Sequence, residues 1–433
     1  MNDPDRHEAR TLRHPARDRY RAAGAALLVC AAGILTLVAS GGGGGGDASW
    51  LYPLWVETDI AVRDLDGDGR ADVLTLAQLA ESQSQREGRL TVYRQTSPGT
   101  FAAPETYVVG VYPWRLDIGD IDGDGAPDLA IMDVGAQAVW MLLQDPANPG
   151  RFLPPQQLAS GLHGYGVTIA DLNADDAPDI AAGDEIRSAA RLVLLYQDAT
   201  LPGVFAPPVD FAMPGAVSQV VAGDLTGDGR PDLLTWAYTP RTGYTPNGLL
   251  AIVPWDGGAP GPVTTLAPQT GLNAARLAIA DYDGDARNDL FAFFTPFGVD
   301  YAAKLTVVLQ GAVPGIFAAP ADTSLAGVRG LDDAVFADLN GDDRPDAAVV
   351  GFYPVGSPTT VESRLNIFVQ SGGGQFALLA VHSLPVSASR VAAGDIDGDG
   401  RNDLLVLGGD NQCFRLIQSH AAPGVFLAPQ PLR

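Results

Sequence analysis

Cysteine is nearly missing from this chain. Of two copies, Cys30 lies in an apolar run near the start, and Cys413 is alone in everything that follows. An intrachain disulfide is thereby excluded beyond the N-terminal segment, so stability there must come from packing and bound ions. Lysine is scarcer still, with Lys304 the single copy and arginine supplying the positive charge. Of the five histidines, His7 and His14 fall in the first 21 residues, and His163, His382 and His420 are far apart. No nucleophile–base pair is readable from such a set, and the expectation is a protein that is not an enzyme. After residue 50 no stretch repeats apolar residues at helical spacing. A basic face is absent too: the formal charge is −24, which argues against nucleic acid as a partner, because phosphate binding needs a positive surface.

What the chain has in abundance is aspartate at fixed intervals. Asp64 opens DLDGDGRAD, Asp120 DIDGDGAPD, Asp171 DLNADDAPD and Asp224 DLTGDGRPD. Asp281 opens DYDGDARND, Asp338 DLNGDDRPD and Asp395 DIDGDGRND. The seven copies are spaced 51 to 57 residues apart, and a period of this size signals a repeat architecture. By count the loops hold 27 of the 51 acidic residues, so most of the acidity is chemistry of the loops.

Each loop reads Asp-x-[Asp/Asn/Thr]-x-Asp-x-x-x-Asp, with oxygen side chains at positions 1, 3, 5 and 9. Alternate oxygens in a tight turn converge on one point. Calcium takes about 6–8 oxygens at roughly 2.3–2.6 Å, backbone carbonyls included. The side-chain ligands expected are Asp64, Asp66, Asp68 and Asp72; Asp120, Asp122, Asp124 and Asp128; Asp171, Asn173, Asp175 and Asp179; and Asp224, Thr226, Asp228 and Asp232. The last three loops add Asp281, Asp283, Asp285 and Asp289; Asp338, Asn340, Asp342 and Asp346; and Asp395, Asp397, Asp399 and Asp403. Position 7 (Arg70, Ala126, Ala177, Arg230, Arg287, Arg344, Arg401) is expected to offer its carbonyl, leaving its side chain free to vary. Two carboxylates about 4 Å apart repel by roughly 4 kcal/mol at an effective dielectric of about 20. Four in one turn call for a divalent ion, and up to seven Ca²⁺ are expected, one per repeat. The bland alternative is an acidic, solvated turn, since Asp and Gly are ordinary turn residues; seven ordered copies weigh against it.

An EF-hand opens similarly but needs a bidentate Glu at position 12 and a following helix. Position 12 is Thr75, Ile131, Ala182, Thr235, Ala292, Val349 and Val406, and short apolar strands such as DVLTLA and DLLVLG follow the loops. The loops are unequal. Asn173 and Asn340 replace Asp at position 3, Ala174 replaces the position-4 glycine, and Asp176 and Asp343 stand at position 6, where positive φ is expected and Asp tolerates it. Loop 4, with Thr226, is expected to bind weakest.

Residues 1–40 are expected to be an export signal or membrane anchor. An Arg-rich start precedes the apolar run 22–39, which fits either a signal cleaved after Ser40 or a retained span. Residues 41–49 open with six glycines and read as a flexible linker. Residues 50–433 divide into units of four strands at approximately 58–110, 111–163, 164–215, 216–270, 271–328, 329–386 and 387–433. In each, one strand precedes the Asp loop and one follows it. A third ends in Gln95, Gln144, Gln197, Gln310, Gln370 or Gln418, and a fourth begins with Gly-x-Phe at Phe101, Phe152, Phe205, Phe317, Phe376 or Phe426. Unit 4 departs from the last two features. Four-stranded units repeated radially make a β-propeller, so the fold expected is all-β and seven-bladed, with antiparallel strands. The last unit has its own fourth strand, GVFLAPQPL, while WLYPLWV at 50–56 is placed to cover the seam.

These loops together with the Gly-x-Phe strand resemble the FG-GAP/VCBS repeat family, the calcium-loop propellers that also form the head of integrin α-chains. The resemblance covers about residues 58–433 and implies calcium in each loop and a role in adhesion or ligand binding. Ala174 and Thr226 depart from the family pattern. Strand alternation puts all the Asp loops on one face and the longer, irregular connections on the other, where a protein or carbohydrate partner is expected. Candidate contacts at the starts of the inner strands are Trp114, Arg115, Tyr165, Gln219, Arg276 and Arg390, with rim packing as the plain alternative. The leading expectation is an exported binding or adhesion scaffold at the cell envelope, in the periplasm or outside the cell. A lectin-like propeller and a polysaccharide lyase are the alternatives. A membrane enters only through residues 22–39 if they are kept.

Overall fold

In a computed structural model the described residues are 54–80, 86–185, 190–239, 247–256, 258–266, 269–270, 272–296, 303–325, 328, 330–355, 357–409 and 412–432. The segment 1–40 expected to be a signal or anchor, the expected linker 41–49 and parts of several longer connections lie outside them. Among the described residues there is no helix. The strands form seven antiparallel four-stranded blades arranged as a β-propeller.

In blade 1 the strands run Leu54–Arg63, Asp72–Ala80, Arg86–Tyr93 and Glu105–Val108, each paired with the one before. The second strands read DVLTLA, DLAIMD or DLLVLG, apolar at nearly every position rather than alternating, because a blade is covered on both faces by its neighbours. Strand Asp128–Asp133 is buried throughout, as is Asp403–Gly408. Among the described residues the apolar core accordingly divides into seven clusters, each shared by two adjacent blades. Leu65, Leu76 and Leu90 of blade 1 meet Leu129, Ile131 and Phe152 of blade 2. The ring closes where Ile60, Val73 and Tyr93 of blade 1 pack on Ile396, Leu405 and Leu407 of blade 7. Blade 7 is completed by its own outer strand, Gln430–Pro431, against Phe414 and Arg415. Residues 54–56 of WLYPLWV extend the first strand of blade 1, pairing with 78–80, while 50–53 fall outside the described residues.

The Gly-x-Phe motif opens the outer strand in blade 6, where that strand runs Gln375–Ser383, but in blades 2 and 3 it stands before it. Its glycine takes a positive φ, 78° at Gly150 and 74° at Gly203, and turns the chain so that the phenylalanine bridges back to the glutamine: Gln144 to Phe152, Gln197 to Phe205. The outer strands Gln156–Ser160 and Val209–Ala212 follow several residues later. In blade 4, where Gln and Gly-x-Phe are missing, Thr264–Thr265 and Gln269–Thr270 both pair with the third strand.

Near the start of the inner strand, six of seven blades carry a register shift, as between Pro113 and Arg115 or Ala274 and Arg276. A bulge of this kind re-aims side chains. Here it marks the end of each inner strand away from the Asp loop.

Candidate metal loops and the opposite face

The loops owe their shape to their own backbone amides. In loop 1 the Asp64 carboxylate accepts from the amides of Gly67 (2.9 Å), Asp68 (3.2 Å) and Gly69 (2.8 Å). Asp68 accepts from Arg70 N at 2.9 Å, and Asp66 from Asp68 N at 3.3 Å. The pattern recurs around Asp171, Asp281, Asp338 and Asp395. Wrapping the chain this tightly requires positive φ at positions 4 and 6 of every loop. Loop 1 has 74° at Gly67 and 80° at Gly69; loop 3 has 60° at Ala174 and 65° at Asp176. Ala286 at position 6 of loop 5 takes 65°. The expectation at position 6 is met, and position 4 proves to carry the same demand.

The position-9 aspartate is buried in all seven loops. Its two oxygens tie the loop to the blade. Asp72 Oδ2 accepts from Leu65 N at 3.1 Å and Oδ1 from Gln95 N at 2.7 Å. Asp128, Asp179, Asp289 and Asp403 repeat the pair. Burial pushes the carboxyls of Asp72, Asp128, Asp179, Asp346 and Asp403 up to about 6, and raises Asp232 and Asp289 as well. Desolvation penalises the charged form, and the backbone donors offset it only in part.

Free oxygens remain and converge. One oxygen each from Asp64, Asp66 and Asp72 lies within 4.8 Å of the others, as do those of Asp120, Asp122 and Asp128. Asp281, Asp283 and Asp285 form a third such group, and Asp338, Asp342 and Asp346 a fourth. Asp120 Oδ1, Asp397 Oδ1 and Asp399 Oδ2 are buried without a hydrogen-bond donor. A cation fits that donor set, because a buried carboxylate oxygen with no donor is costly and hard oxygens are what calcium takes. Thr226 in loop 4 instead hydrogen-bonds Asp232. Arg70 and Arg287 fold back onto Asp68 and Asp285 of their own loops.

At five of the seven loops a repeated glutamine of the next blade meets the loop. Gln144 of blade 2 donates to Leu65 O in loop 1 at 2.9 Å, and Gln197 of blade 3 to Ile121 O in loop 2 at 2.7 Å. Gln310 reaches Leu225 O in loop 4 at 2.7 Å, and Gln370 reaches Tyr282 O in loop 5. Gln95 of blade 1 donates to Ile396 O in loop 7 at 2.8 Å, across the closure of the ring. That these glutamines stand at the end of the third strand was readable from sequence; that they reach a loop of the neighbouring blade was not.

On the other face, the six candidate contacts are drawn largely into internal pairing. Arg115 meets Asp59 at 3.3 Å, and Arg276 meets Asp333 at 3.1 Å and Asp59 at 3.7 Å. Blades 1 and 5 are not neighbours, so the last contact runs across the axis of the ring. Arg390 donates to Thr58 O and lies 5.3 Å from the Trp114 ring; Gln219 donates to Ala274 O at 2.6 Å. Burial lowers the Arg115 guanidinium to about 10. The counter-charges Asp59 and Asp333 were not singled out from sequence, although each stands five residues before its loop, at the same offset as Arg115, Arg276 and Arg390. Trp114 packs edge-on between Tyr112 (5.5 Å) and Tyr165 (5.3 Å). Beside Tyr165 lies a cavity of about 420 Å³ lined by Val134, His163, Tyr165 and Glu185. His382, by contrast, lies on an outer strand against Phe426.

Residues 64–131, 120–182 and 355–406 match the FG-GAP-like repeat family. No curated protein sequence matches the chain. Among solved structures, a chain from the crystal structure of BBS1N in complex with ARL6DN, soaked with mercury, is 11% identical with a TM-score of 0.50, over 86% of this chain and 94% of that one. The exotype rhamnogalacturonan lyase YesX is 14% identical with a TM-score of 0.46, over 87% and 74% of the two chains. At such identities the first likeness concerns the fold alone.

Proposed function

For a chain that carries FG-GAP-like repeats on a seven-bladed propeller, we propose a calcium-stabilised binding or adhesion scaffold, exported to the cell envelope. One observation carries the calcium reading. The loops hold several carboxylate oxygens within 4.8 Å of one another, and some of those oxygens are buried without a donor. An acidic turn meant only for solvent has no reason to bury them. Calcium in loop 1 would lock Leu65, whose carbonyl holds Gln144 of the next blade, so metal and ring closure support each other. Export follows from the Arg-rich start and apolar run of residues 1–40.

The test is metal content and melting of the purified full chain, with calcium and after chelation. Five to seven calcium ions per chain and a large upward shift in Tm are expected, since a ligand bound only by the folded state stabilises it by mass action. Fewer than two ions and no shift would show the loops to be acidic turns.

A carbohydrate partner is the second reading, supported by Trp114 and Tyr165 packed together beside the cavity. Binding on a glycan array that disappears in Trp114→Ala would support it; a blank array would leave a protein partner.

A further inference from the structure

Blade 7 differs from its six siblings at one position of its metal loop's surroundings. Two residues after the glutamine, or after Trp255 in blade 4, the chain reads Ser97, Pro146, Ala199, Gly257, Ala312 and Gly372; in blade 7 it reads His420. The connection from Gln412–Leu416 to Gln430–Pro431 folds this imidazole back over the Asp loop of its own blade. Nδ1 lies 2.8 Å from Asp399 Oδ2 and Nε2 lies 3.3 Å from Asp397 Oδ2. One donor atom each from Asp397, Asp399 and His420 lies within 4.8 Å of the others.

The carboxylates do not behave like half of a surface ion pair. The Asp399 side chain is 10% exposed, and its Oδ2 is without a hydrogen bond even though Nδ1 is 2.8 Å away, so the two atoms face each other outside hydrogen-bond geometry. Asp397 Oδ1 is likewise buried without a donor. A cation between imidazole and carboxylates would satisfy all of these atoms. One ring nitrogen would ligate, and the other would keep a carboxylate as its outer partner, the usual way such a ring is held.

We propose that loop 7 is a mixed nitrogen–oxygen site for a first-row transition dication such as Zn²⁺, set apart from the all-oxygen loops. Imidazole suits zinc, copper, iron and nickel, whereas carboxylate and carbonyl sets suit calcium, magnesium and manganese. This rests on the reading of the loops as metal sites. His420 is 71% exposed, so replacing it leaves the blade's packing intact.

The probe is Co²⁺, whose visible absorption reports nitrogen coordination, titrated into calcium-loaded full chain, wild type and His420→Ala. Wild type is expected to bind one Co²⁺ tightly with calcium in excess, and His420→Ala to bind it at least about tenfold more weakly, with an unchanged count of calcium ions in the remaining loops. Equal Co²⁺ affinity in the two proteins, or no Co²⁺ uptake by a calcium-loaded wild type, overturns the inference and leaves the calcium loops standing. If neither Ca²⁺ nor Co²⁺ binds, the reading beneath it falls too.

Discussion

Replacing Gln144 by methionine keeps the length of the side chain and deletes its amide. Gln144 is 3% exposed. Its Nε2 donates to Leu65 O at 2.9 Å and Pro127 O at 3.0 Å, and its Oε1 accepts from Gly150 N at 2.9 Å. The substitution therefore strands one donor and two acceptors inside the ring. Each stranded group costs about 1–3 kcal/mol, and the added apolar burial returns part of that; the expected loss is about 3–4 kcal/mol. Gln418 provides the internal control. Among the described residues it reaches only Asn402 O of its own blade, at 3.0 Å, with Gly424 N at a marginal 3.5 Å. Gln418→Met should cost about 1–2 kcal/mol by the same reckoning. Urea unfolding in fixed calcium, followed by tryptophan fluorescence and circular dichroism, reads both. Exchange of the Leu65 amide, bonded to Asp72, should also quicken in Gln144→Met. If Gln144→Met costs no more than Gln418→Met, the glutamine is not a latch between blades, and loop and ring are not coupled through it.

Other outcomes follow from backbone and charge. Ala174→Gly and Ala286→Gly should each raise stability by about 0.5–1 kcal/mol, since a left-handed L-residue costs roughly 1–2 kcal/mol and glycine's extra unfolded freedom returns less than that; a lowered melting midpoint in both would refute the strain. In the opposite direction, an added Cβ at Gly69 meets nothing within 4 Å, so the loss in Gly69→Ala is conformational, about 1 kcal/mol by melting. The pH dependence should change sign with metal. The carboxyls of Asp72, Asp128, Asp179, Asp346 and Asp403 sit at about 6 in the metal-free fold against an ordinary 3.8. A folded value raised in this way means stability that is complete below about 3.8 and lost as pH climbs through about 6. Metal-stripped protein in high salt should thus melt lower at pH 7 than at pH 4, whereas calcium, which needs ionised ligands, should make Tm rise over the same window. A stripped protein whose Tm rises with pH would contradict the burial of these groups.

The parts legible in the sequence were those written within one repeat. An aspartate comb with glycines between its teeth states its turn, and a strand apolar at every position states that both its faces are covered. What a repeat does not state is which other repeat it touches. Gln144 announces an amide in need of partners, yet its target, Leu65 O, lies 79 residues back in the previous blade. The ion network around the axis was half visible. Arg115, Arg276 and Arg390 stood out as charges on inner strands, but Asp59 and Asp333, the partners of the first two, were masked by a chain crowded with aspartate. His420 was discounted along with the other scattered histidines, because its meaning depends on a loop folding back over Asp397 and Asp399.

The closed ring changes what loss of one loop does. In an open solenoid each repeat answers to its two neighbours, and the ends fray first. Here the first and last blades meet: blade 1 packs on blade 7 through Ile60, Val73 and Ile396, Gln95 holds Ile396 O, and Arg276 reaches Asp59 across the axis. Opening any one interface loosens two blades that the remaining interfaces still hold in a circle, so partial opening forfeits contacts without freeing much chain. Unfolding in calcium should therefore be a single transition, with Trp140 in blade 2 and Trp255 in blade 4 reporting the same midpoint as the circular dichroism of all seven blades. Mutating Asp66, proposed as a loop-1 ligand, to Asn should lower that shared midpoint rather than split it. Two separated transitions, one in blades 1 and 2 and one elsewhere, would mean that the blades fold as independent units and that the latches between them are incidental.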